Sequence, residues 1–310
     1  MVLRHGGAAV VFAVLLAACT TQPVYKISDV TEARALSDRA FDMFAKGDNE
    51  GAITALNAVI AYGTIDDADY ARRAAVYGTL KNYDKALIDA DRSVALAPRA
   101  WRRYLERAIL LQRVGRYSDA ITDLDQAVGL RPTEIEPLRR RAYLKVVAAR
   151  FDDAIKDYDD LSAMLPNSDT GALGRGAALY LAGRWREAAV QFSAMLQTKP
   201  NDGLATLWLV KARARAGQFM GWDEVEHHAG PEPEWLMTRM LLTADPAIDT
   251  AAPLANVDSC ERAVFLGVWR MIRHGGSGAA KAFGAAETTC PPDSIEASEA
   301  RIEIARLKQN

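Results

Sequence analysis

Apolar and small side chains recur along this chain at a fixed interval, and that interval predicts its elements. Ala52, Ala86, Ala120, Ala154 and Ala188 are spaced by 34 residues without an insertion or deletion. Pro98, Pro132, Pro166 and Pro200 keep the same step and close each repeat, as in Leu96-Ala97-Pro98 and Leu130-Arg131-Pro132. Proline lacks the amide that would continue a helix, so it stops the second helix of a pair. Gly47, Gly115 and Gly183 fall where the first helix must end, with Lys81 and Ala149 in the same register. Glycine tolerates the left-handed backbone that such a turn needs. Tyr83, Tyr117, Phe151 and Trp185 follow two residues later and are placed to wedge between the paired helices. Five in-phase helix pairs are therefore expected over residues 33–202, an all-α superhelical solenoid of antiparallel pairs in which each repeat packs on its neighbours.

The interval and these positions resemble the tetratricopeptide repeat. The match is weaker at the large residue near the start of the first helix, which is Tyr70, Tyr104 and Leu138 but then Ala172. After Pro200 the spacing falters. Leu204 to Ala216 still reads as a first helix, with Leu207, Trp208 and Val210 on its apolar side. Residues 203–259 are otherwise degenerate, because Gly217, Gly221, Gly230, Pro231, Pro233, Pro246 and Pro253 keep helices short. Trp222 and Trp235-Leu236-Met237 are expected to pack back on the solenoid. A late repeat over 260–293 restores the pattern with Leu266-Gly267, Ala279, Phe283, Ala286 and Pro291. Asp293 and Glu296 have the spacing of a helix cap and its reciprocal acid. They open a last helix, within 294–310, expected to cover the exposed end of the array.

One position departs from the repeat pattern. Where leucine is usual, the chain has Arg39, Arg73, Arg107, Arg141 and Arg175, and in three frames an acid stands sixteen residues on: Asp89, Asp123 and Asp157. A half-buried arginine needs a carboxylate, so Arg73–Asp89, Arg107–Asp123 and Arg141–Asp157 read as a structural ladder; the alternative is an anion-binding row on the concave face. In tetratricopeptide arrays the first helices line that face. The groove positions here include Arg34, Phe41, Phe44, Arg72, Arg102, Ile109, Arg113, Arg139, Arg140, Tyr143, Leu173 and Tyr180. This basic and apolar trough suits an extended or helical peptide with acidic and hydrophobic side chains, unless it is merely a solvated helix face.

Charge and cysteine usage place the chain. With 38 Lys+Arg against 40 Asp+Glu the net charge is −2, which gives no overall basicity for nucleic acid. Arg4 and His5 precede eleven apolar residues, Ala8 to Ala18, a run of export-signal length and too short to span a bilayer. It ends in Leu16-Ala17-Ala18-Cys19, which resembles the lipobox of bacterial lipoproteins. Residues 1–18 would be removed, Cys19 would carry the lipid, and residues 19–32 would be a tether; a plain secretory signal is the alternative. Thr20 after the cysteine matches outer-membrane sorting in such lipoproteins. Cys260 and Cys290 lie at opposite ends of the late hairpin, where an antiparallel pair brings its ends together. A disulfide is expected in an oxidising compartment, with two free buried thiols as the alternative.

No catalytic constellation emerges. Glu224 and His228 are one helical turn apart, but two ligands do not make a metal site. His274-Gly275-Gly276-Ser277-Gly278 falls in the turn of the late hairpin, and there is no phosphate loop or dinucleotide fingerprint. A non-enzyme without metal or cofactor is expected. The order of features is similar to NlpI-type tetratricopeptide lipoproteins: lipobox, in-phase repeats, Leu207-Trp208-Leu209, Phe265-Leu266-Gly267-Val268-Trp269, and a closing helix with Glu296 and Ala300. That resemblance implies a dimeric outer-membrane adaptor facing the periplasm, which presents cell-wall hydrolases or a protease to their targets. The other class with this layout is an assembly lipoprotein, such as a pilotin for a secretin or part of an outer-membrane insertion machine.

Overall fold

The computed structural model describes residues 23–63, 66–230, 233–243, 254, 257–274 and 278–309, so the export signal and Cys19 lie outside the described residues. Among these there are fifteen α-helices and no strand. Five pairs come first: α1 (Val30–Ala45) with α2 (Asn49–Tyr62), α3 (Asp67–Thr79) with α4 (Tyr83–Leu96), and α5 (Trp101–Arg113) with α6 (Tyr117–Leu130). The fourth and fifth are α7 (Ile135–Val147) with α8 (Phe151–Met164), and α9 (Asp169–Leu181) with α10 (Trp185–Thr198). Then come α11 (Gly203–Arg215), two short 3-10 turns at Trp222–Glu224 and Glu226–His228, α12 (Pro233–Thr243), α13 (Ser259–His274), α14 (Ala279–Thr289) and α15 (Ile295–Leu307).

The repeating residues explain why the pairs close. Ala52, Ala86, Ala120, Ala154 and Ala188 are all 0% exposed, because the helices of each pair cross where only a methyl fits. Where the second helix carries phenylalanine the first must give more room: a Cβ at Gly176 would stand 2.5 Å from the Phe192 ring, and one at Gly267 the same distance from Phe283. The turn between paired helices needs positive φ. Gly115 and Gly183 supply it at 78° and 81°, whereas Lys81 and Ala149 are held there at 58° and 56°, a conformation disfavoured for side chains with a Cβ. Arginine stands just before α6, α8 and α10 in place of a capping side chain. Arg116, Arg150 and Arg184 instead donate to Asp119, Asp153 and Glu187 in the first turn at 2.7–2.8 Å.

The C-terminal third folds back on the array. Leu207 and Val210 of α11 share an apolar cluster with Met237, Met240, Phe265 and Trp269, so the Met237 end of the degenerate segment packs as its composition suggests. The side chains of Trp222, Trp235 and Leu236 lie outside the described residues. A disulfide joins Cys260 and Cys290 across the α13–α14 hairpin, with Cα atoms 4.6 Å apart. The last helix, α15, packs on the α13–α14 hairpin at the end of the chain and, on its other side, lies along the face formed by the first helices α7, α9 and α11, as its contacts below show. No described helix is long and apolar enough to cross a membrane.

Candidate peptide-binding groove

Three of the repeated arginines, Arg73, Arg107 and Arg141, are turned into the seams between repeats. Arg73 donates through Nε and Nη2 to both oxygens of Asp89 at 2.7 Å. Arg107 does the same to Asp123 at 2.8 and 2.7 Å, and Arg141 to Asp157 at 2.9 and 2.7 Å. The third nitrogen, Nη1, reaches back to the second helix of the preceding repeat: Asn57, Asp91 and Asp125 accept at 2.7, 2.8 and 2.9 Å. Each guanidinium therefore ties three helices. The acids are nearly buried, and Lys145 adds a second cation 2.8 Å from Asp157. Hydrogen bonds donated to Asp89 raise the Arg73 pKa above its ordinary value against the opposing effect of burial; those donated to Asp123 do so for Arg107. Arg175 is the weaker rung, meeting Asp159 and the neutral Gln191 at 2.9 Å. Arg39, with Ala55 sixteen residues on, is exposed.

Among the described residues, the face lined by the first helices is open at its N-terminal end. There a trough of about 750 Å³ is walled by Ala71, Ala74, Ala75 and Gly78 of α3, by Phe41 and Phe44 of α1, and by Ile109, Leu110 and Arg113 of α5. Arg72 lies across its edge. It donates to Ser37 and Asp38 at 2.5 and 3.0 Å and places its guanidinium 6.0 Å from the Phe41 ring centre. Arg103 is neutralised by Asp67 and Glu106 at 2.5 and 2.9 Å. Lys81 and Arg113 also line the trough, are exposed, and form no ion pair among the described residues. Phe41 is 54% exposed and, with Phe44 and Ile109, gives the trough its apolar wall. Five expected groove residues thus meet here: Phe41, Phe44, Arg72, Ile109 and Arg113.

The other expected residues lie elsewhere. Arg102 is exposed beside Trp101, 5.2 Å from its ring, and does not line the trough. Arg139 and Arg140 are spent on Glu136: Arg139 donates from Nε at 3.1 Å and Arg140 at 2.5 Å. Burial would raise the Glu136 pKa, but these two arginines hold it below the usual carboxylate range. Tyr143 and Tyr180 face the chain itself and not a partner. The Tyr143 hydroxyl donates to the Asp293 carbonyl at 2.5 Å, and burial followed by the nearby Asp293 charge pushes its pKa up to about 12. Tyr180 is 0% exposed, with its ring edge against Trp208 at 5.3 Å. The cover over both is α15 and the residues just before it. Gln112 donates to the Asp293 carboxylate at 2.8 Å, Lys211 to Glu299 at 2.8 Å, Arg215 to Glu303 at 3.1 Å, and Arg306 to the Leu181 carbonyl at 2.8 Å.

Two family models of the tetratricopeptide repeat match, one over residues 74–144 and one over 139–203. Residues 74–203 are thus tetratricopeptide repeats (TPR). No curated protein matches it. Among solved structures it is similar to a TPR protein from Parabacteroides merdae, at 16% identity and a TM-score of 0.59, over 87% of this chain and 98% of that one. It is also similar to the C-terminal part of a TPR protein from Cytophaga hutchinsonii, at 20% identity and a TM-score of 0.52, over 84% and 98%. At these identities the likeness is one of fold.

The TPR spacing locates the groove but not its occupant. A signal for the occupant was nevertheless present. Ile295, Glu299, Ile302 and Glu303 form one helical stripe, and Lys211 and Arg215 are one turn apart on α11. Acids and bases at matching four-residue steps can pair between two helices laid side by side. Among the described residues no group of His, Cys, Asp and Glu side chains could hold a metal ion; His228 sits 3.0 Å from Asn201.

Proposed function

We propose that this TPR protein is a non-catalytic scaffold, anchored by a lipid on Cys19 to the outer membrane and facing the periplasm, that holds envelope partners in the open N-terminal half of its groove. The observation that carries the reading is the trough itself. Rigid apolar walls from Phe41, Phe44 and Ile109 supply anchors, while Lys81 and Arg113, which form no ion pair among the described residues, can steer and orient an acidic segment. Export rests on the apolar run before Cys19, and the Cys260–Cys290 bond suits an oxidising compartment. A peptidoglycan hydrolase or an envelope protease is the partner class that the resemblance to NlpI-type lipoproteins favours. The test is affinity capture of the lipidated protein from detergent-solubilised envelope, alongside a Lys81→Glu/Arg113→Glu variant. Retention of a hydrolase or protease by the wild type and its loss from the variant is expected. Retention of a secretin or barrel-assembly component would instead support the assembly reading, and equal capture by both proteins would move the site away from the trough.

A further inference from the structure

Tetratricopeptide repeat faces are built to be lined by something, and here half of the face is already filled. The helix α15 has two working sides. Ala297, Ala300, Ile304 and Leu307 pack with Val264, Val268 and Phe283 of the α13–α14 hairpin. Ile295 and Ile302 pack instead on the cluster that contains Ala178, Tyr180 and Leu209. Glu299 and Glu303 belong to the same stripe and are 2% and 0% exposed. Glu299 meets the ammonium of Lys211, which also stands 4.0 Å over the Trp208 ring. Glu303 receives Arg215 at 3.1 Å and Arg306 at 2.5 Å.

We propose that the face over α7, α9 and α11 is a second protein-binding site that the chain keeps filled with its own α15, and that a partner's acidic amphipathic helix takes by exchange. The partner must copy the seated stripe: an aliphatic residue, an acid four positions on, then a second aliphatic residue and a second acid seven and eight positions on from the first. The occupant's chemistry is thus read from the helix that sits there. Exchange is favoured by how this contact is made. Two of the four stripe residues on α15 are carboxylates, Glu299 and Glu303, so half of the stripe's seating rests on ion pairs and not on apolar contact. Buried ion pairs lose about as much in desolvation as they gain in attraction, so they select a partner more than they bind it tightly. Burial raises the Glu299 pKa against the opposing pull of Lys211, which is a sign of that loss. The fit is also incomplete: the Tyr180 hydroxyl and the Trp185 indole nitrogen are buried without a hydrogen-bond partner, and each such group weakens the seating. The site is separate from the open trough, so it can fail while the scaffold reading stands.

The experiment uses the full chain and a fluorescent synthetic peptide of residues 293–310, read by anisotropy. A Glu299→Gln/Glu303→Gln protein, whose own helix is weakened in the groove, is expected to bind the peptide at least tenfold more tightly than the wild type. Adding Lys211→Glu should remove that binding. Equal affinity for the two proteins, no binding to either, or binding that survives Lys211→Glu would overturn the proposal. Should the double variant not fold, hydrogen exchange on the wild-type protein decides: α15 amides must exchange at least tenfold faster than those of α8 and α10, and equal protection would overturn it. A concentration-dependent dimer of the double variant that binds no peptide would assign the face to a second copy of the chain and equally overturn the partner-helix proposal.

Discussion

Replacing Arg107 by leucine, the residue that most tetratricopeptide repeats carry there, tests the arginine ladder. In the native chain the Asp123 side chain is 5% exposed and its two oxygens are held by Arg107 at 2.7–2.8 Å. The link to Asp91 is different, because that carboxylate is 65% exposed. Removing one partner of a buried pair costs about 3–5 kcal/mol, since the remaining charge is left in a poor solvent. The Asp91 link adds about 0–1 kcal/mol, and burying leucine returns about 1 kcal/mol of apolar contact. Arg107→Leu is therefore expected to lower stability by about 3 kcal/mol. Arg107→Leu/Asp123→Leu should recover most of this, since a well-packed apolar pair replaces a buried ion pair at little net cost. The coupling between the two sites would then be about 2 kcal/mol or more. Arg175→Leu is the internal control: its partners are neutral Gln191 and half-exposed Asp159, so a loss below about 1.5 kcal/mol is expected. Urea unfolding followed by circular dichroism, with hydrogen exchange on α5 and α6 to detect unfolding confined to those repeats, gives the values. Equal losses for the Arg107 and Arg175 variants, or a double variant as unstable as the sum of its singles, would refute the ladder as a buried ionic seam.

Three further outcomes are expected. Ala149→Gly should stabilise the protein by about 0.5–1 kcal/mol in urea unfolding, because relief of left-handed backbone strain exceeds the added chain entropy. The Tyr143 phenol, pushed up to about 12, keeps its proton in the folded state while the unfolded chain releases it near the ordinary tyrosine value of 10.0. Its contribution is thus intact below pH 10, and stability falls as pH rises from there toward 12; an ultraviolet phenolate titration should show this late ionisation in wild type and its loss in Tyr143→Phe. Reducing the Cys260–Cys290 bond, which closes a loop with a sequence separation of 30, should lower stability by about 3–4 kcal/mol in the chain-entropy picture. Urea midpoints with and without reductant would check this.

Regular features of the fold were legible because the repeat writes them five times. The buried alanines, the turn positions and the helix-stopping prolines each follow from backbone or contact geometry that recurs every 34 residues. The arginine ladder was legible within a repeat through the Arg-to-Asp spacing. Its reach into the preceding repeat, to Asn57, Asp91 and Asp125, needed the stacking angle between pairs, which no local pattern encodes. The groove was half legible. Phe41, Phe44, Arg72, Ile109 and Arg113 meet in one trough because they sit on consecutive first helices. Tyr143 and Tyr180 occupy equivalent positions but are covered, because α15 carries a second amphipathic stripe that the hairpin beside it does not use. A helix with two apolar sides announces that it touches two things. Which distant face it meets depends on how far the solenoid curls.

The claim that the open trough binds a protein is tested most directly by photo-crosslinking in intact cells. A photoreactive residue placed at Phe41 or at Arg113 should give the same partner adduct, and that adduct should vanish on adding Lys81→Glu. The same residue at Val190, 71% exposed on the second helix α10, should give none. Adducts at Val190 with none at Phe41 or Arg113 would contradict the account.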